Sequence, residues 1–163
     1  MGSSRDPVPV AVALGSNLGD REEYLRQGVA ALAAIVDDMR VSSFYETAPV
    51  GVGPQPRFLN AAVTGRTTLD AAAFLHSLLE IEARLGRVRT FPGAARTLDL
   101  DLILHGQTVV DAPDVTVPHP RFRERAFVLA PLAELAGDWV DPVSGRTVAE
   151  LYQRLTPSTG EPG

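Results

Sequence analysis

The chain has no cysteine, no lysine and only one tryptophan in 163 residues. Without cysteine it can build no disulfide framework, no thiolate metal site and no thiol nucleophile, and it carries no redox sign of an extracellular home. No stretch approaches the roughly 18 consecutive apolar residues of a membrane span. The opening Met1-Gly2-Ser3-Ser4-Arg5-Asp6 has no apolar signal core, and Asp6 stands where a myristoylation motif needs Ser or Thr. These absences lead to the expectation of a cytoplasmic protein with no membrane partner. With lysine missing, all 15 basic residues are Arg. Codon bias in a GC-rich genome and a need for the planar guanidinium fork stand side by side as readings of that fact. Against 20 acidic residues the formal charge is −5, which argues against a general polyanion binder and leads us to expect no nucleic-acid partner.

What is present suits one globular domain over residues 1–163, with flexible ends at 1–7 and 157–163. The composition, 45% hydrophobic and 21% charged, supports a real core rather than disorder. Val8 to Leu14 reads as a buried strand ended by Gly15-Ser16-Asn17. Asp20 with Glu23 resembles a capping box, and Leu25, Val29, Leu32 and Val36 recur at helical spacing, predicting a helix over about 20–37. Val41 to Thr47 and Phe58 to Arg66 have the β-branched and aromatic content of strands. The stretch 48–57 between them holds three Pro and two Gly, a long loop of the kind that more often carries function. Asp70 caps a second helix with the stripe Phe74, Leu78, Ile81 and Leu85, ending at Gly86.

Residues 86–97 show no periodicity and place Arg87, Arg89 and Arg96 among glycines and a proline, the pattern of a mobile cationic loop. Leu98 to Leu104 alternates strictly, with Leu98, Leu100, Leu102 and Leu104 on one face and Asp99, Asp101 and Ile103 on the other. His105-Gly106-Gln107 then turns the chain into a partner strand at Thr108 to Val110, and Phe127 to Leu135 reads as a third helix. The order strand, helix, strand, strand, helix, strand is the split β-α-β pattern. It predicts an α+β, ferredoxin-like sandwich, a mainly antiparallel sheet with helices on one face.

Asp99 and Asp101 leave one face of their strand with Cα atoms about 6.5 to 7 Å apart. Two carboxylates so placed repel unless a cation lies between them, and Mg²⁺ suits such a pair because it completes its octahedron with water and phosphate. The wet face of an amphipathic strand is the plainer alternative. Anion-binding arginines lie close in sequence: Arg84 to Arg125 carries a local +2 while the remainder carries −7. A second basic group, His119 with Arg121, Arg123 and Arg125, follows Thr116-Val117-Pro118, and it reads either as phosphate-binding or as ordinary surface. Phe58 and Asn60 pair a flat apolar face with an amide suited to the edge of a planar heterocycle, although core packing also explains Phe58. Glu82, beside an apolar helical stripe, would ordinarily be dismissed as solvated.

Several strings, in order and spacing, resemble the 6-hydroxymethyl-7,8-dihydropterin pyrophosphokinase family of the folate pathway. They are Gly15-Ser16-Asn17-Leu18-Gly19, Ser43-Phe44-Tyr45-Glu46-Thr47, Phe58-Leu59-Asn60-Ala61-Ala62, Ile81-Glu82, Gly86-Arg87-Val88-Arg89, Arg96-Thr97-Leu98-Asp99-Leu100-Asp101 and Val117-Pro118-His119-Pro120. The resemblance spans about residues 8–155, and its Arg-Thr-Leu-Asp-Leu-Asp string is the most specific part. It implies a ferredoxin-like fold and transfer of the terminal pyrophosphate of ATP to the hydroxymethyl group of a reduced pterin, releasing AMP. Asp99 and Asp101 would hold two Mg²⁺ ions. Arg87 and Arg96 would clamp phosphates, with Arg89, Thr116, His119 and Arg125 on the nucleotide side, and Glu82 would help hold the nucleotide or its ribose. Thr47, Ala48 and Val50 would present backbone groups to the pterin, Asn60 would bond its polar edge, and Phe58 with Phe127 would sandwich its ring. The partners implied are the two small molecules, with the chain a monomer.

This chain departs from the family pattern in three places. Phe91-Pro92-Gly93-Ala94-Ala95-Arg96 stands where the family has Arg-Trp-Gly-Pro-Arg, without the Trp that covers the site. Pro120 replaces a common Tyr, and Phe58 replaces a Tyr conservatively. A ferredoxin-like small-molecule sensor or RNA reader is the alternative from another class, and a monophosphate kinase or ATPase is a third. An RNA reader would need tandem aromatics on its sheet, which the six scattered Phe do not supply.

Overall fold

A computed structural model describes residues 6–16, 20–47, 58–85 and 98–155. Strand β1 (Val8–Ser16) is its centre, and its sequence alternates large with small. Val10, Val12 and Leu14 enter one apolar core, while Ala11 and Ala13 enter a second on the opposite face of the sheet. Helix α1 (Arg21–Leu32) follows, with the Asp20 carboxylate accepting the Glu23 backbone N–H at 3.1 Å. That bond satisfies one of the donors a helix N-terminus leaves open.

The helix expected to reach 37 stops at Leu32, and a turn leads to Val36, which is buried in the same core without being helical. The helical spacing of Val36 therefore reported burial and not helix. Strand β2 (Asp37–Val41) then runs along the sheet edge, mostly exposed, with neither alternation nor an apolar face to announce it in sequence. The single strand expected over 41–47 is interrupted at 42–44 before β3 (Tyr45–Thr47). Ser42 bridges the break: its N–H donates to the Ala62 carbonyl and its hydroxyl accepts the Ala62 N–H, both at 2.9 Å.

Strand β4 (Phe58–Thr67) and helix α2 (Ala71–Leu85) match expectation, with the Asp70 carboxylate accepting the Ala73 N–H at 2.8 Å. Strand β5 (Asp99–His105) completes a sheet in the order β2-β4-β1-β5, with β3 also on β4, and every pairing is antiparallel. The strict alternation expected along β5 fails at one place. Ala11 pairs with Leu104 but Val12 pairs with Leu102, so β5 bulges, and Leu104 joins Ile103 in the second core instead of sharing a face with Leu102. The strand expected at 108–110 does not pair with β5. Strand β6 (Val110–Ala112) pairs with β7 (Val115–Val117) as a separate two-stranded sheet.

Helices α1 and α2 cover one face, as the ferredoxin-like pattern requires. Helices α3 (Ala126–Ala136) and α4 (Val148–Leu155) cover part of the other face, so the expectation of helices on one face alone holds only for the β-α-β-β-α-β unit. The small residues Ala11, Ala13 and Ala62 make this possible, because a sheet surface without bulk lets a helix such as α3, with Val128, Leu129 and Leu132, settle onto it.

Candidate active site

Directly opposed residues in antiparallel strands share a face, so the registers assemble a site across the sheet. Gly15 opposes Asn60 on one side and Asp99 on the other, and Tyr45 opposes Asn60 from β3. The next row joins Ala62, Ala13 and Asp101, and Thr47 opposes Phe58. Phe58, Asn60, Asp99 and Asp101 thus lie on one face, the one that carries α3 and α4 further along. Gly15 is the low point between Asn60 and Asp99. A Cβ there would come within 3.2 Å of Asn60 Oδ1, so glycine gives the amide its room.

The two aspartates are half-buried on β5, the last strand of the sheet. Two bonds hold that strand's outer edge. Glu82 Oε2 accepts the Leu100 N–H at 2.6 Å, from a side chain only 3% exposed, so the solvated reading of Glu82 is overturned. The bond lands on the residue between the two aspartates. On the same edge the His119 N–H donates to the Ile103 carbonyl at 3.0 Å, beside the cis Val117–Pro118 peptide. This brings the imidazole close to Asp101. Burial pushes His119 below its ordinary value, Asp101 pulls it up, and Arg125 and Arg121 push it down again, leaving it lowered. His119 Nδ1 accepts the Arg121 N–H at 3.1 Å, which orients the ring.

The structure sorts the second basic group. Arg123 forms a fork on the carboxylate of fully buried Asp141, at 2.5 and 3.0 Å, and lies over the Phe122 ring. Arg121 is 3.9 Å from Glu124. Burial alone would raise Asp141, but the bonds from Arg123, Ser144 and Val143 outweigh it and hold the carboxyl down at about 2. This cluster pins the 3-10 turn Phe122–Glu124 that leads from His119 to α3. Arg123 is therefore a structural residue. Arg125 lies over the ring of Phe127, 5.6 Å from its centroid, and Phe127 is 42% exposed in the first turn of α3. An exposed aromatic beside an arginine, rather than in the core, is a surface available to a flat ligand.

The other sequence candidates divide cleanly. Thr116 lies in β7, where its hydroxyl donates to the Ala112 carbonyl at 3.4 Å. Phe58 is half-buried and Asn60 is 5% exposed. Ala48, Val50, Arg87, Arg89 and Arg96 lie outside the described residues, as does the Phe91–Arg96 departure. Sequence reasoning missed Glu134. It stands in the last turns of α3, accepts the Ser43 N–H at 3.1 Å with each carboxylate oxygen, and accepts the Tyr45 hydroxyl at 2.7 Å. Nothing in the helical pattern marks it, since an exposed Glu on a helix is commonplace. A cleft of about 410 Å³, lined by Asp20, Arg21, Glu22, Phe44, Glu46 and Leu59, opens on the opposite side of the sheet and contains none of the predicted residues.

The donor set fits a hard divalent cation. Two carboxylates two residues apart face the same way, and among the described residues no cluster of three His, Asp or Glu forms a closed cage. Mg²⁺ prefers that situation, since it keeps several waters and takes substrate phosphates with one or two carboxylates.

The family model for 7,8-dihydro-6-hydroxymethylpterin-pyrophosphokinase (HPPK) matches residues 11–137. The chain belongs to this family. Family membership makes it a pyrophosphoryl transferase of folate biosynthesis. Among named pyrophosphokinases, that of Bacillus subtilis is 50% identical over 126 residues, 76% of this chain and 75% of its own. That of Pseudomonas aeruginosa is 41% identical over 144 residues, covering 87% of this chain and 88% of its own. The Plasmodium falciparum HPPK-DHPS structure superposes with a TM-score of 0.77 at 12% identity, over 99% of this chain. The chain spans about half (47%) of that longer protein, and the likeness speaks for the fold. The HPPK match begins inside β1 and ends just after α3, so it contains the whole row from Tyr45 to Asp99 and the His119–Phe127 segment. No helix of the described residues is long and apolar enough to cross a membrane.

Proposed function

We propose that the face carrying Asn60, Asp99 and Asp101 binds ATP and 6-hydroxymethyl-7,8-dihydropterin and transfers pyrophosphate between them. The observation that carries this reading is the row Asn60, Gly15, Asp99, in which an amide and a carboxylate flank a glycine gap on one side of the sheet. In the transfer, the pterin hydroxymethyl oxygen forms a bond to the β-phosphorus of ATP and gives up its proton to solvent, the bond between that phosphorus and the α-phosphate oxygen breaks, and AMP leaves. Such a reaction asks chiefly for in-line positioning and charge neutralisation. Asp99 and Asp101 would hold two Mg²⁺ ions, which when bound supply neutralisation of the phosphate oxygens.

The chain's own residues do the rest. Asn60 orients the pterin through its polar edge, and Phe58 and Phe127 enclose the ring, with the Thr47, Ala48 and Val50 backbone completing that side. Arg87 and Arg96 clamp the phosphates with Arg89, Thr116, His119 and Arg125 assisting. His119, held below its ordinary value mainly by burial, serves as a neutral hydrogen-bonding group at neutral pH. Glu82 holds the backbone of β5 through Oε2, which accepts the Leu100 N–H, and would help hold the nucleotide or its ribose.

One incubation tests the reading. With ATP, Mg²⁺ and the pterin, we expect AMP and the pterin diphosphate in equal amounts. Formation of ADP would mean a monophosphate kinase or ATPase, and no turnover of either substrate would mean a binding module.

A further inference from the structure

The break in the sheet edge at 42–44 needs partners for its backbone, and one of them comes from across the sheet. Ser43 donates its N–H to Glu134 at 3.1 Å and its hydroxyl to Glu134 Oε2 at 3.2 Å, and the Tyr45 hydroxyl donates to Oε1 at 2.7 Å. In the next residue of α3, the Leu135 carbonyl accepts Arg40 Nη1 at 3.4 Å. The carboxylate therefore fastens the end of α3 to the segment that leads into β3.

What those two elements carry gives the clamp its meaning. Helix α3 holds Phe127 in its first turn and Glu134 about two turns later, with Pro131 between them, on one continuous helix. Strand β3 ends at Thr47, which opposes Phe58, and runs directly into residues 48–57. Tyr45 itself opposes Asn60. The bond to Glu134, aided by burial, pushes the Tyr45 hydroxyl up to about 12, so it remains a donor at neutral pH. The Tyr45 bond in turn lowers Glu134, with Ser43 adding to the effect against burial, so the acceptor remains ionised. Charge-assisted bonds of this kind are short and directional.

We propose that Glu134 is a positioning residue for the pterin, setting the separation between Phe127 on α3 and the Thr47–Phe58 pair on β3 and β4 through its bonds to Ser43 and Tyr45. The inference rests on the pterin assignment above and adds to it a residue that touches no substrate. A slot for a planar ring depends on its width, and an error of well under an ångström between two walls weakens stacking on both.

The test compares two ligands in three variants of the full chain. Dissociation constants for the pterin and for a non-hydrolysable ATP analogue are measured by calorimetry for wild type, Glu134→Ala, Glu134→Gln and Tyr45→Phe, alongside thermal midpoints. We expect Glu134→Ala to weaken the pterin about tenfold while the ATP analogue stays within about twofold. Glu134→Gln, which keeps one acceptor, should recover part of the loss, and Tyr45→Phe should reproduce part of it. Equal weakening of both ligands in step with a lower thermal midpoint would mean a merely structural bond and overturn the proposal, as would unchanged pterin binding in Glu134→Ala. If Glu134→Ala does not fold, Tyr45→Phe decides by the same criterion. Wild-type chain that turns over ATP but ignores the pterin would overturn the substrate reading itself, an outcome distinct from failure of the clamp.

Discussion

The two faces of β1 do different work with the same nine residues. Toward α1 and α2 the strand presents Val10, Val12 and Leu14, which meet Leu98, Leu100, Leu102, Phe74 and Leu78 in a continuous apolar layer. Toward α3 it presents Ala11 and Ala13 and then Gly15, and the layer changes character along its length. Near Ala11 it is packed by Leu129, Leu132 and Phe122, whereas near Gly15 the neighbours are Asn60 and Asp99. Bulk on one face gives stability. Its progressive removal on the other leaves first a seat for a helix and then a polar row in which Asn60 and Asp99 flank Gly15. A sheet that is rigid because one face is fully packed can hold carboxylates in place on the other.

Four tests would break or sharpen this contrast. The largest effect is expected for Asp99→Ala or Asp101→Ala, which should lower turnover on the order of 10³-fold while leaving circular dichroism and the thermal midpoint nearly unchanged. Retained activity in either variant would remove the carboxylates from the site. On the packed face, Leu14→Ala should cost about 3 kcal/mol in denaturant unfolding, because Leu14 is 2% exposed and its loss leaves a cavity. Its Michaelis constants, corrected for the folded fraction, should stay put. A selective change in one substrate's constant would mean that the faces are not separable.

Acid should reach the α3 layer through Asp141. Its carboxyl is held down at about 2 against an ordinary 3.8, so its stabilisation is fully present above 3.8 and is lost as pH falls toward 2. The amount is on the order of 2 kcal/mol. Trp139, the single tryptophan, packs against this layer, and its fluorescence should report the loosening in wild type and much less of it in Asp141→Asn. The smallest effect is expected for Gly15→Ala, whose Cβ would press on Asn60 Oδ1 at 3.2 Å. A displacement of a few tenths of an ångström should weaken the pterin about tenfold, roughly 1.4 kcal/mol, with the nucleotide little changed. If the nucleotide weakens more than the pterin, Asn60 is facing the wrong substrate.

Much of the frame was legible because it rests on local chemistry. Asp20 and Asp70 cap their helices as their positions before apolar stripes suggested, and β4, β5 and α3 stand within a residue or two of expectation. The Asp99–Asp101 pair was legible as well, since period-two alternation places both side chains on one face whatever lies around them. What failed depended on partners distant in sequence. Strand β2 exists because β4 offers it a ladder, despite an exposed and charged sequence. Leu104 changes face because β1 pairs across a bulge. Val36 is buried where a link crosses the core, a position that imitates one more turn of helix.

The candidate site divides along the same line. Its residue types were open to inspection: two carboxylates, an amide, an aromatic and a crowd of arginines. Which arginine is committed to structure was decided by tertiary pairing, since Arg123 is captured by Asp141 from a loop 18 residues away. Glu82 looked like surface until folding placed it against the Leu100 N–H, and Glu134 had no sequence signal at all until α3 met the Ser43–Tyr45 segment. The sequence by itself determined periodicity, capping and the motif strings, because each depends on residues within a turn or two of one another. Only the tertiary structure decided which faces meet and which charges are spent on structure, because a hydrogen bond or ion pair depends on distance in space and is indifferent to separation along the chain.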